Sequence, residues 1–276
     1  MRRALAVSWP VAAALAVAAA AWQTRSLVPD VTAGVDTSWQ VALHLTALRG
    51  VHFGSAFTWT YGPLGFLLLP LAVSGWTLAA SFLFTAAVQV VLAYLVIRRG
   101  RLIAGAVVGV VLAYLVLALP IANGDGLLLI VLLLTIDALE TPDGRLARAY
   151  PFACGIAAGL AALTKTNDGG TAFLIVVTAT VALWLTGRRR ALWAIPVIAA
   201  TFLAGWVLAG ESLSAIPEWT RLSLSLIAGY GAAMQYEAGV PHAYVYAGAV
   251  VAMIALVVVR RARPRPTCAR ARRAGA

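Results

Sequence analysis

Eight stretches of mostly apolar residues divide this chain, most of them close to the 18 or so residues that cross a bilayer, and they leave little between them. They run over roughly 4–22, 74–97, 102–120, 123–139, 151–164, 171–187, 191–210 and 242–259. Hydrocarbon offers no partner to an exposed backbone group, so such segments are restricted to helices that satisfy their own N–H and C=O. The predicted fold class is therefore all-α: a polytopic transmembrane helical protein of about eight spans. Only 11% of its 276 residues are charged, against roughly 25% in soluble domains. That excludes an ordinary soluble enzyme. The fourth and fifth spans are the weakest, because Asp125 and Asp137 sit near the ends of one and the other is short.

Charge orients the segments. Seventeen of the 21 basic residues fall at the amino terminus, in three alternate loops (Arg98, Arg99, Arg101; Arg145, Arg148; Arg188, Arg189, Arg190) and in the tail from Arg260. By the positive-inside rule these belong to the cytoplasm, which makes the span count even and puts both termini there. Arg25, Arg49, Lys165 and Arg221 then lie outside, with most of the acidic residues. The net charge of +11 reads as a topology signal with some anionic-lipid contact, and nucleic acid is not an expected partner. A multi-pass protein of the plasma membrane is the expected location. The start, Met1-Arg2-Arg3 and an apolar, alanine-rich run to Ala21, also resembles a secretory signal peptide. Its length and an interfacial Trp22 favour retention.

The expected organisation is one transmembrane domain over 1–259, with outer loops at about 23–73, 164–170 and 211–241, and a basic cytoplasmic tail at 260–276, read as disordered. In the first loop Asp36 suits an N-cap, and Trp39, Leu43 and Ala47 recur at helical spacing while Gln40 and His44 take another face. That predicts a short interfacial helix ended by Gly50. Phe57 to Gly65 reads as a tight aromatic turn back toward the membrane, and Phe66 to Leu71, broken by Pro70, as a partial re-entry. In the last outer loop Ser212 to Leu226 predicts a second interfacial helix, with Trp219, Leu222 and Leu226 on its apolar side and Glu218 and Arg221 opposite. A flexible aromatic stretch containing Tyr236 and Glu237 follows. These elements suggest a walled cavity at the outer boundary.

Few residues there can carry chemistry. Asp36, held at a helix start, can serve as a general base toward a hydroxyl, or simply cap the helix. Lys165 is the only lysine beside twenty arginines. In Leu163-Thr164-Lys165-Thr166-Asn167-Asp168-Gly169-Gly170 it precedes a helix start, an arrangement suited to phosphate. The plainer reading is a snorkelling lysine with Asp168 as N-cap. Asn123-Gly124-Asp125-Gly126 either meets the same cavity or is a turn. His44, His52 and His242 lack helical metal-ligand spacing, and Cys154 and Cys268 form no CxxC or disulfide framework. No cofactor is expected, and a divalent metal stays open. No Walker, GxSxG, HExxH or dinucleotide motif is present.

The acidic residue opening a helix after the first span, the Asp36-Thr37-Ser38-Trp39 and Phe57–Phe66 segments, and the later Gly159-Leu160-Ala161-Ala162-Leu163-Thr164-Lys165 run resemble the GT-C superfamily, including actinobacterial membrane proteins of this general type. These are multi-pass glycosyltransferases that use polyprenyl-phosphate sugars. The resemblance covers residues 1–187. It departs at Thr37, where many members carry a second acidic residue, and in length, since members are usually longer. It implies Asp36 as catalytic base and Lys165 as a ligand of the lipid phosphate. Trp39, Trp59 and Tyr61 would pack against sugar or lipid, with His44 and Asp168 beside them. The implied partners are a polyprenyl-phosphate sugar and the bilayer. The alternatives are a non-enzymatic transporter or lipid-handling subunit, which predicts polar residues deep in spans, and a truncated inactive copy, suggested by the low-complexity arginine tail.

Overall fold

A computed structural model describes residues 9–23, 35–118, 124–140 and 144–234, without the side chains of 23, 35–37, 145 and 230–234. Among these residues the chain is all-helical, with one isolated bridge between Phe53 and Phe57. The helices are α1 (Trp9–Gln23), α2 (Val35–Arg49), α3 (Gly75–Ala104), α4 (Ala106–Ala118), α5 (Gly126–Glu140), α6 (Arg145–Thr164), α7 (Thr166–Leu185), α8 (Ala194–Leu208) and α9 (Ile216–Met234). Among the described residues, four helical stretches are long and apolar enough to cross a membrane: Gly75–Ala104, Leu146–Thr164, Thr166–Leu185 and Arg189–Leu208. The last includes the 3₁₀ turn Arg189–Trp193 that leads into α8. Shorter apolar helices cover Trp9–Trp22 and Ala106–Ala118. These lengths and compositions are those of a membrane protein. The predicted span at 242–259 and the tail lie outside the described residues.

Three boundaries depart most from the sequence expectation. That of α7 is one, since it starts at Thr166 and not at 171 and makes most of the expected outer loop 164–170 helical. The second span runs on to Ala104, because nothing breaks the helix until Gly105, whose φ of +95° a side chain would oppose. The fifth starts at Arg145 and not at 151, so it is 20 residues long and contains Pro151. Six residues into a helix, proline removes one N–H bond. The rest of α6 is held by its neighbours.

Residues 1–228 gather into one compact unit and residues 229–276 into a second, of which only the end of α9 is described. Within the first unit, α3, α5, α6 and α7 share a core that includes Leu92, Ile130, Val131, Tyr150, Cys154 and Val176. Ala14, Val17, Ala93, Ile97, Ala113 and Leu117 join α1, α3 and α4. Lipid tails are as apolar as leucine, so packing between spans depends on close approach more than on hydrophobic burial. On α6, Gly155 and Gly159 supply it: a Cβ at either would lie 2.6–2.7 Å from Val197 or Thr201 of α8. This small-xxx-small pattern is visible in the sequence as Gly155-Ile156-Ala157-Ala158-Gly159.

A third core joins Leu43 of α2, Phe53, Phe66, Leu163, Trp206 and Trp219. It seats the segment between α2 and α3 on the ends of α6, α8 and α9. A helix is present there as α2, ending before Gly50, with Leu43, His44 and Thr46 all buried. The stretch expected to re-enter the membrane is a 3₁₀ turn, Gly65–Leu68, followed by irregular backbone in which Leu71 is buried. Two of its carbonyls are answered by side chains, Leu67 O by the Thr85 hydroxyl at 3.1 Å and Leu69 O by His44 Nε2 at 2.7 Å. A buried non-helical stretch needs such partners.

Candidate functional site

The turn around Pro63 is joined through its backbone to the link between α6 and α7. Thr166 N–H donates to Thr60 O at 2.9 Å, Gly62 N–H to Thr164 O at 3.3 Å, and Leu64 N–H to Leu163 O at 3.0 Å. The approach requires glycine at 62, where a Cβ would stand 2.4 Å from Leu163 O. Two segments a hundred residues apart in sequence therefore meet main chain to main chain, with Lys165 at the junction.

Lys165 points at carboxyl groups from two helix starts. Its Nζ lies 2.5 Å from Asp125 Oδ1, just before α5, and 3.3 Å from Asp168 Oδ1, in the first turn of α7. Burial opposes the ammonium charge, but the Asp125 hydrogen bond and the fields of Asp168 and Asp125 outweigh it and hold the Lys165 pKa above the ordinary lysine value. The ammonium stays charged through the neutral range. Three N–H donors and two engaged carboxyl groups leave one donor for another acceptor. Lys165 keeps 24% of its side-chain surface and Asp125 34%, so the cluster is open to solvent or ligand.

Beside it stands an aromatic shelf. Trp39 of α2 stacks on Tyr61 with ring centroids 4.9 Å apart and on Trp59 at 6.4 Å. All three are half-buried. Tyr61 also contributes to the field at Lys165, so shelf and ammonium are neighbours. Asp36 lies in the first turn of α2, its side chain outside those described. Its backbone is three residues from Trp39, about 4.5 Å along the helix axis and near the same face.

Of the residues singled out from sequence, Lys165, Asp168, Trp39, Trp59 and Tyr61 are thus brought together. His44 stands apart. It is fully buried, with its ring against Phe66 at 5.8 Å and Nε2 on Leu69 O. Desolvation lowers its pKa, an effect only partly offset by that backbone hydrogen bond. Its surroundings are those of a fastening between α2 and the irregular segment. Asn123, Tyr236, Glu237 and His242 lie outside the described residues. Among the described residues, no group of three His, Cys, Asp or Glu side chains is placed to hold a metal ion.

Sequence reasoning treated Asp125 as a turn residue as readily as a cavity residue. Its pairing with Lys165 spans 40 positions and has no local pattern. Glu211 went unremarked beyond its sign. It is buried, accepts Phe53 N–H on both carboxylate oxygens at 3.1 Å, and meets His52 Nδ1 at 3.4 Å. No family model, no characterised protein and no solved structure matches the chain.

Proposed function

We propose that the chain is a membrane glycosyltransferase of GT-C type, moving a sugar from a polyprenyl-phosphate donor to an acceptor at the outer face of the plasma membrane. In this reading it has about eight spans, cytoplasmic termini, and α2 and α9 outside. The observation that carries it is the backbone junction of Thr60–Leu64 with the Lys165 link. That junction sets stacked aromatic rings beside an ammonium and two carboxyl groups. Flat aromatic faces accept the apolar face of a sugar ring, and carboxyl groups accept its hydroxyls. The third N–H of Lys165 is directed to the lipid phosphate, with Asp125 and Asp168 fixing the ammonium.

Asp36 would take the proton of the acceptor hydroxyl. The freed oxygen then attacks the anomeric carbon, and the C–O bond to the lipid phosphate breaks with its electron pair leaving on phosphate, so the configuration inverts. The test is transfer by purified protein supplied with a panel of radiolabelled polyprenyl-phosphate sugars and membrane acceptors. Asp36→Asn is expected to lower transfer by about 10²–10⁴-fold. Full activity in that variant rejects the mechanism. In parallel, binding of a short-chain polyprenyl phosphate should weaken in Lys165→Ala. Unchanged binding there would remove the lysine from the site.

A further inference from the structure

On the other side of the Pro63 turn, the chain encloses a cavity of about 280 Å³ between α2, the start of α3 and the end of α8. Its walls include Leu64, Phe66, Trp76, Leu208, His52 and Glu211. From these residues we propose a binding site for an aminophospholipid headgroup, its ammonium seated on Glu211.

The chemistry of the walls is one-sided. Glu211 brings a carboxylate whose side chain is only 4% exposed. Among the described residues that line the cavity none is lysine or arginine, and Glu211 and His52 are the ionisable ones, so a cation entering it meets the carboxylate. Glu211 accepts two contacts from Phe53 N–H and faces His52 from one side. A carboxylate has about four lone-pair positions, which leaves one for a ligand donor. The Phe66 and Trp76 rings pair edge to face at 5.7 Å, and the Trp76 indole is half exposed. An aromatic face beside a carboxylate is a recurrent seat for an alkylammonium. His52, 61% exposed in its side chain, stands where a phosphate bonded to that amine would emerge.

The position selects a lipid over a free amine. Trp76 opens α3 and Leu208 closes α8, the ends of two helices of membrane-crossing length. Leu208 is 86% exposed. A ligand with its head in the cavity has its apolar portion delivered to the boundary where acyl chains lie. The Glu211 carboxylate disfavours an anionic headgroup entering head first. This site shares the Pro63 turn with the proposed transfer site but uses none of Asp36, Lys165 or the Trp39 shelf, so either proposal stands or fails without the other.

The test uses the full chain in detergent, titrated with short-chain phosphatidylethanolamine, short-chain phosphatidylglycerol or free ethanolamine and followed by tryptophan fluorescence and native mass spectrometry. The expected result is retention of the ethanolamine lipid over the glycerol lipid, with free ethanolamine failing to compete at the same concentration. Glu211→Gln, which keeps an amide oxygen for Phe53 N–H, should weaken that retention about tenfold or more. Trp76→Leu, at an exposed position where misfolding is not expected, should weaken it by a smaller factor. Equal retention of both lipids, or unchanged retention in a folded Glu211→Gln protein, overturns the proposal. Competition by free ethanolamine as strong as by the lipid overturns its assignment to the membrane.

Discussion

At one end of α5, Arg98, Arg99 and Arg188 converge on its last turn; at the other, Lys165 stands between Asp125 and Asp168. Arg98 Nη1 meets Asp137 Oδ1 at 2.6 Å, Arg99 pairs with Glu140, and Arg188 donates to Ala138 O at 3.4 Å. Carboxylates at a helix C-terminus oppose its dipole, and last-turn carbonyls lack helical partners. Here the arginines correct both, and the result ties α3 and the turn after α7 to α5. Asp125 and Asp168 instead sit at helix N-termini, where the dipole already favours them. Lys165 adds to that field and answers both carboxyl groups, Asp168 with only 10% of its side chain exposed. One end uses a cation for each structural need, while the other sets one cation against two carboxyl groups. In the proposed function, that surplus of acceptors makes the lysine end the place for a ligand.

If that contrast is right, substitutions should rank accordingly. The largest stability loss is expected for Arg98→Ala, which strips a paired cation from Asp137, a carboxylate with 3% of its side chain exposed. About 3 kcal/mol is a reasonable scale for breaking such a pair, read as a lowered unfolding midpoint in detergent. Gly62→Ala comes next. Its methyl cannot share space with Leu163 O and should cost about 2 kcal/mol, while abolishing transfer by displacing the shelf. Lys165→Ala should cost about 1 kcal/mol or less in stability and yet lose polyprenyl-phosphate binding. A larger stability loss at Lys165 than at Arg98 would break the comparison. Smallest is Arg221→Ala, whose partner Glu218 is an exposed neighbour on the same helix. The unfolding midpoint should not move, and a clear drop would show that exposed pairs also count in this fold.

Much of this was open to reading from residues with local reasons. Gly50 ends α2 as expected, because a left-handed glycine acts within one turn of chain, whereas Asp36, expected as the N-cap, lies inside a helix that starts at Val35. Apolar length announced the long helices, and the alternating arginines agree with ion pairs gathered at one end of α5. The junction was not legible, since backbone hydrogen bonds between residues 60–64 and 163–166 leave no mark on residue type except at Gly62. The same holds for Asp125 with Lys165 and Glu211 with Phe53, pairs separated by 40 and 158 positions. His44 was assigned to a different face from the apolar residues of α2 by periodicity. The segment around Leu69, which periodicity within α2 cannot foresee, folds over that face and covers it.

The junction has a consequence for how such a chain can change over time. Its bonds read peptide groups and are indifferent to the side chains at Thr60, Tyr61 and Leu64. Provided position 62 keeps its glycine, exchanging a ring beside Lys165 costs the contacts that Trp39 or Tyr61 makes with the third core but leaves the main-chain bonds in place. A lineage of such proteins could thus drift in what it recognises while its register against α6 and α7 stays fixed.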